Sequence, residues 1–149
     1  VFARLPSAKL TLANFMRSHL YSAMAALKIG NDILLKEEQV KVDSLTGHGG
    51  LFKTPVVGQR LMAAAMNAPV TVMDTASEGG AWGMAVLAAY MYEKEEGEAL
   101  PDYLSGKIFA GQTGTTIAPV QEDVAGFDAF IEKYKSTLPA EKAAVEGLK

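Results

Sequence analysis

Thr46-Gly47-His48-Gly49-Gly50-Leu51-Phe52-Lys53-Thr54-Pro55 is the stretch from which the fold is read. It joins a short β-type run, Val40 to Leu45, to a helix-type run that begins near Pro55. Glycine at 47, 49 and 50 lets the backbone turn sharply and lets a flat or anionic ligand come close to it. A helix N-terminus follows at once, with unpaired N–H groups facing back toward the turn. The stretch is not a P-loop, because Phe52 stands where that motif needs glycine before its lysine. Nor is it the dinucleotide fingerprint, because Phe52 also replaces the third glycine after Gly47 and Gly49. Spacing alone therefore leaves two readings open, a nucleotide-type ligand turn and a plain strand-to-helix turn.

Upstream of the turn, residues from about Thr11 to Lys36 predict one long helix. Phe15, Met16, Leu20, Ala23, Met24 and Leu27 follow the three-and-four spacing of a buried face, with Ser7 or Thr11 as the cap. Downstream, Pro55 to Met66 predicts a second helix that stops at Asn67-Ala68-Pro69. Val70-Thr71-Val72-Met73 is short and β-branched, a second strand. Thr75 or Ser77 is placed to cap a third helix, roughly Gly80 to Tyr92. That helix is apolar on nearly every face, through Trp82, Met84, Val86, Leu87, Tyr90 and Met91, and is expected at the centre of the core. Alternating helices and strands at this spacing predict an α/β protein with parallel strands covered by helices. Beyond Gly97 the pattern weakens to a helical turn at Pro101–Leu104 and short β-type runs up to Val120. An amphipathic helix follows over Glu122–Tyr134, and Pro139 starts a charged tail, 137–149, that frays or forms a short exposed helix. The whole, residues 1–149, is read as a single domain.

Composition narrows the function. Of the 149 residues, 49% are hydrophobic and 21% charged, as in ordinary folded proteins. A formal charge of −3 supplies no basic footprint, which argues against a nucleic-acid partner. There is no cysteine, hence no thiolate metal site, and no apolar run approaches the roughly 18 residues of a membrane span. A cytoplasmic location is the expectation. His19 and His48 are the only histidines, so no metal site is expected; His19 reads as structural, and His48 as a solvated loop residue in preference to a pocket residue. Asp74 and Glu78 read as partners of a helix N-terminus in preference to a general base or metal ligands. Glu93, Glu95, Glu96 and Glu98 read as a solvated acidic helix end, and the seven methionines as core filler. No Ser, His and Asp fall at a triad spacing, so no catalytic residue is assigned.

Four pieces in order resemble the C-terminal domain of the FGGY family of carbohydrate kinases. Leu20-Tyr21-Ser22-Ala23 with Ala26-Leu27-Lys28-Ile29-Gly30 is similar to the family's Leu-Tyr-Arg-Ala…Leu-Glu-Gly helix. Gly49-Gly50-Leu51-Phe52-Lys53-Thr54-Pro55…Gln59 resembles the adenosine motif, Gly-Gly-Gly-Ala-Lys-Ser-Pro…Gln. Asn67-Ala68-Pro69-Val70 stands for Gly-Arg-Pro-Val, and Glu78-Gly79-Gly80-Ala81-Trp82-Gly83-Met84-Ala85 for the Glu-Gly-Ala-Ala-x-Gly-Ala-Ala helix. The departures are Leu51 for glycine, Phe52 for alanine, and Ser22 and Lys28 for the customary Arg and Glu.

The resemblance implies part of an actin-like, ribonuclease H-like ATPase domain, in which two lobes close over ATP and a sugar. It implies that Gly49 and Gly50 lie against the nucleoside, with Leu51 and Thr54 as neighbouring contacts. It implies ATP and Mg2+ as cofactors of the complete enzyme and a ketopentose of xylulose or ribulose type as substrate. The catalytic aspartate, the sugar-binding residues and the phosphate turn are expected upstream, in an N-terminal lobe, so this chain is expected to be truncated and inactive alone. A truncated lobe is also expected to expose apolar surface and to self-associate. Two alternatives stand beside this reading: a non-catalytic actin-like nucleotide-binding module, and an unrelated α/β domain whose glycine turn binds another phosphate ligand or nothing.

Overall fold

The computed structural model describes residues 2–74, 76 and 79–148. Contacts divide the chain into two compact units. One comprises 1–43, 61–68 and 119–149; the other comprises 44–60 and 69–118.

The first unit is helical. Helix α1 spans Leu12–Asp32 and continues into a wider π-type turn, Ile33–Glu37. Thr11 caps it, its hydroxyl accepting from the Asn14 N–H at 3.2 Å, so one of the two expected caps is the one used. The long C-terminal helix α5 covers Gln121–Glu146. Tyr21 meets Phe127 and Phe130 with ring centroids 5.1 and 5.2 Å apart, and Phe127 is completely enclosed. Ala25 is likewise fully buried.

The predicted face of α1 is one position out of phase. Met24, Ala25 and Lys28 are buried, whereas Phe15, Met16 and Leu27 are exposed. A buried stripe through 24, 25 and 28, continued by half-buried Tyr21, has the same period as the expected one, but it uses a tyrosine, a small alanine and a lysine that the apolar pattern discounts. Lys28 enters because its stem is hydrocarbon and its ammonium lies 2.9 Å from Asp32. Lys36 holds the other Asp32 oxygen at 2.8 Å. Burial pushes the Asp32 carboxyl up, but the hydrogen bonds and charges of Lys36 and Lys28 outweigh it and leave the group below its ordinary value.

Among the described residues the tail is helical and continuous with the amphipathic segment, because α5 runs through Pro139 to Glu146. Proline removes one backbone donor, and the flanking Ala-, Glu- and Lys-rich sequence has enough helix propensity to continue across it.

The second unit is built on a three-stranded sheet in the order β1-β2-β3. Strand β1 is Leu45–Gly47, β2 is Val70–Met73 and β3 is Gly114–Ile117. Strands β1 and β2 pair in parallel, Thr46 opposite Thr71, as the helix–strand alternation predicts. Strand β3 pairs antiparallel to β2, Val72 opposite Thr115, so the sheet is mixed and not all parallel. Between β2 and β3 the chain passes through more than one helical element. Helix α3 spans Gly79–Glu93, and after it come α4, Leu100–Tyr103, at the predicted helical turn, and a second π-type turn, Leu104–Ile108, which takes the start of the β-type run expected from Lys107. Val40 and Val42 lie outside β1, which starts only at Leu45.

Helix α3 is the clearest reversal. It is apolar all round, yet Val86 is its only buried residue among those described, while Met84 and Met91 are 69% and 79% exposed. Composition supplies the apolar surface, but a core position needs neighbours on every side, and the three short strands do not provide them. The acidic end of α3 is also more than a solvated face. The Glu98 side chain is only 15% exposed and lies 3.0 Å from the Lys107 ammonium. The Glu95 N–H and then Lys107 hold its carboxyl below the ordinary value. Tyr103, almost fully buried, donates its hydroxyl to Glu93 at 3.1 Å.

Candidate functional site

The glycine turn lies wholly in the second unit. Gly47 ends β1, and Gly49 sits at φ +100°, a conformation that side-chain-bearing residues rarely adopt. A single turn of 3-10 helix, Gly50–Lys53, follows, and then helix α2, Val57–Met66, which begins two residues later than Pro55. The Gly49 N–H donates to the Ala76 carbonyl at 2.7 Å, tying the turn to the segment after β2. Gly79, the first residue of α3, closes the same corner: a Cβ there would lie 2.7 Å from the His48 Cβ. Two glycine motifs separated by some thirty residues of sequence therefore meet at one place, and the second needs glycine because the first packs against it.

Beside this corner a cleft of about 210 Å³ opens between the turn, the start of α2 and the strands. Its polar lining comes from Thr54, Gln59, Asp74 and Thr115, and its apolar lining includes Phe52, Val56 and Met73. Gln59, 4% exposed, is the brace of this wall. Its side-chain amide donates to the Val70 carbonyl at 2.7 Å and also to the Thr115 carbonyl, joining α2 to both β2 and β3. Val56, at the cleft's edge, has φ +71°. A β-branched residue there carries strain on the order of 1–3 kcal/mol, which is held where surrounding contacts over-determine the backbone.

The expected contact residues fall in different settings. Gly50 faces open space, with nothing within 4 Å of the position a Cβ would take. Gly49 supplies the positive φ, and Thr54 lines the cleft. Leu51 turns its side chain onto Gly58 of α2, where an added Cβ would stand 2.8 Å from the Leu51 Cγ. Gln59, Asp74 and Thr115 join the site without having been assigned to it. Gln59 had a signal, the closing glutamine of the motif; Thr115 had none, because only the antiparallel return of β3 brings it here.

Two local readings change. His48 is not a freely solvated loop residue: its ring stacks on Trp82 at 6.0 Å and 11°, and its Nδ1 is shielded with no hydrogen-bond partner among the described residues. Asp74 does not serve the first turn of α3, which starts five residues later; its Oδ2 accepts from the Thr113 hydroxyl at 2.7 Å. The expected partners Glu78, Thr75 and Ser77 lie outside the described residues. His19 is exposed on α1 and contacts the Phe15 ring edge at 4.6 Å. Among the described residues no three His, Cys, Asp or Glu side chains converge as a metal site requires, and no helix is long and apolar enough to cross a membrane.

Taken together, these elements define a mixed α/β protein in which a glycine-rich strand-to-helix turn walls a small cleft of mixed apolar and polar lining. Residues 3–92 match the family model described as "FGGY family of carbohydrate kinases, C-terminal domain". The chain therefore belongs to the FGGY family of carbohydrate kinases, and the matched segment contains the glycine turn, the brace glutamine and all of α2. No curated protein and no solved structure matches the chain.

Proposed function

We propose that this chain is the adenosine-binding part of an ATP-dependent carbohydrate kinase that phosphorylates a ketopentose of xylulose or ribulose type. In this reading it is one domain, the C-terminal nucleotide-binding lobe of an actin-like enzyme that works in the cytoplasm. The observation that carries it is the glycine turn inside the segment that matches the kinase family: open backbone at Gly50, and a cleft lined by Phe52 and Thr54 further along the same stretch. Gly49 and Gly50 lie against the nucleoside, with Leu51 contributing backbone and Thr54 its hydroxyl. The residues present fit a nucleoside better than a divalent cation, since one carboxylate, Asp74, lines the cleft. Mg2+ would arrive on the phosphates of ATP, as hard cations with few protein ligands do. Phosphoryl transfer rests on positioning and charge neutralisation, and this chain's share is positioning. The catalytic base and the sugar contacts belong to another lobe, so the chain alone does not turn over.

Self-association is part of the proposal, driven by apolar area such as Met84, Leu87 and Met91 of α3. A strictly monomeric species in light scattering would overturn that part. Of the two alternatives, the unrelated domain is set aside by the family match. The non-catalytic module is separated from a kinase lobe by pairing the chain with a candidate sugar-binding lobe and assaying sugar-dependent ADP release. Nucleotide binding itself is tested by calorimetry with ATP, ADP, adenosine and NAD on the wild type and on Gly50→Val. Because a Cβ at Gly50 meets nothing within 4 Å, the variant keeps its turn, and lost binding reports a blocked ligand. Preference for NAD, or ATP binding unchanged by Gly50→Val, would sink the adenosine reading.

A further inference from the structure

We infer that a second copy of this chain covers the exposed face of α3, the two helices lying antiparallel about a two-fold axis level with Val86. This rests on the self-association proposed above and adds the face, the direction and the register of the pair.

The first observation is the absence of charge. From Gly79 to Tyr92 the helix carries no Asp, Glu, Lys or Arg. Its exposed positions over that span are the large Met84, Leu87, Met91 and Tyr92 and the small Gly80, Ala81, Ala85 and Ala88. Tyr92 is 92% exposed. An ordinary protein surface laid on this stripe would bury charged groups without partners, which is costly. A copy of the same stripe brings none.

Shape then selects the register. In an antiparallel pair centred at Val86, positions equally far on either side of it are level with one another. Met84 is then level with the copy's Ala88, Leu87 with its Ala85, Met91 with its Ala81 and Tyr92 with its Gly80. Every large exposed side chain meets a small one, and the two-fold axis repeats each contact. At Gly80 there is room, since even an added Cβ meets nothing within 4 Å. Moving the centre to Leu87 sets that leucine against its own copy and Met84 against Tyr90.

Charge selects the direction. The run from Glu93 to Glu98 holds four glutamates and one lysine, and it follows the negative end of the α3 dipole. Antiparallel pairing brings this end beside the positive N-terminus of the copy's α3. Parallel pairing would stack both acidic ends and set Met84 and Met91 each against itself. The stripe is about 20 Å long, from 15 residues at about 1.5 Å each, and about 10 Å wide. That is less than the roughly 800 Å² per partner of a stable complex, so the dimer is weak and concentration-dependent.

The chain has no cysteine, so introduced thiols report the pairing directly. Met84→Cys and Ala88→Cys chains are mixed under mild oxidation, and disulfide dimers are counted by mass spectrometry. The mixed dimer is expected to exceed either self-linked dimer several-fold. Like positions stand four residues, about 6 Å, apart along the axis, beyond the roughly 3.5–4.5 Å between the Cβ atoms of a disulfide. Sedimentation equilibrium is then run on wild type and on Ala88→Leu, a change between two strong helix formers at an exposed position. The leucine adds apolar area yet fills the place of the copy's Met84, so it is expected to weaken the dimer by about tenfold or more. Predominantly self-linked dimers, or tighter association in Ala88→Leu, would mean a parallel or unspecific contact and overturn the inference. Dimers in solution with no disulfide from the mixed chains overturn it and leave self-association standing. A monomer at every concentration, including one that captures a candidate sugar-binding lobe on this face, overturns both and leaves the adenosine reading as it was.

Discussion

Replacing Gln59 should cost more stability than an ordinary surface substitution in the second unit. The side chain is 4% exposed and joins one helix to two strands by donating to Val70 and Thr115. In Gln59→Ala the buried Val70 carbonyl and the partly buried Thr115 carbonyl each lose a side-chain donor. A net hydrogen bond contributes about 1 kcal/mol, and a buried carbonyl left bare costs up to about 3 kcal/mol. Two such losses, with a small packing defect, amount to about 2–4 kcal/mol. Gln59→Leu isolates the polar part, because it refills the volume yet still removes both side-chain hydrogen bonds; it should recover at most about 1 kcal/mol of the loss. Gln59→Glu adds a sign. A carboxylate facing two carbonyls is disfavoured when ionised, so its folded-state pKa rises above the unfolded value of about 4.3. That variant should be least destabilised in acid, where both states are protonated, and should lose stability as pH rises. Urea unfolding followed by Trp82, the single tryptophan and a member of the same unit, reads all three. A loss below about 0.5 kcal/mol in both the Ala and Leu variants, within the ordinary surface range, would refute the brace.

The glycine contacts make an internal pair: Gly79→Ala drives a Cβ to 2.7 Å from the His48 Cβ, whereas Gly80→Ala in the same helix meets nothing within 4 Å. The first should destabilise and perturb Trp82 fluorescence, and the second should stabilise by roughly 0.5–1 kcal/mol; equal effects in thermal unfolding would contradict the corner described here. Val56→Gly removes a β-branched side chain from φ +71°, and since strain relief competes with glycine's chain entropy, the net change should lie within about 1 kcal/mol and never reach the 2–4 kcal/mol expected at Gln59. In the first unit, Asp32 is held below its ordinary value of 3.8 because Lys36 and Lys28 outweigh the effect of burial. Its contribution is therefore complete above that value and lost as pH falls through the folded-state value below it. Circular-dichroism unfolding should show wild type losing stability more steeply than Asp32→Asn in that acid range, and parallel curves would remove the triad from the account. Met84→Lys with Met91→Lys on the exposed side of α3 should change stability by less than about 0.5 kcal/mol while reducing self-association in light scattering.

Much of the second unit's local structure is legible without coordinates. Glycine at 49 announces a positive φ, Val70–Met73 announces a strand, and Thr11 announces a cap, because each depends on the residue's own sterics or on hydrogen bonds within a few positions. The ordered motifs likewise suffice for the family, which the match to residues 3–92 shows. What the linear pattern could not supply is which surface each element covers. A 3.6-residue period does not say whether Phe15 or Tyr21 points inward on α1, and an all-apolar α3 does not reveal that Met84 and Met91 stay in solvent. The direction of β3, and with it the presence of Thr113 and Thr115 beside Asp74, depends on a chain return of some forty residues. Gln59 stands on the boundary between the two. Its place in the motif was readable, but its role was not, because the two carbonyls it holds lie on strands that only tertiary folding brings within reach of α2.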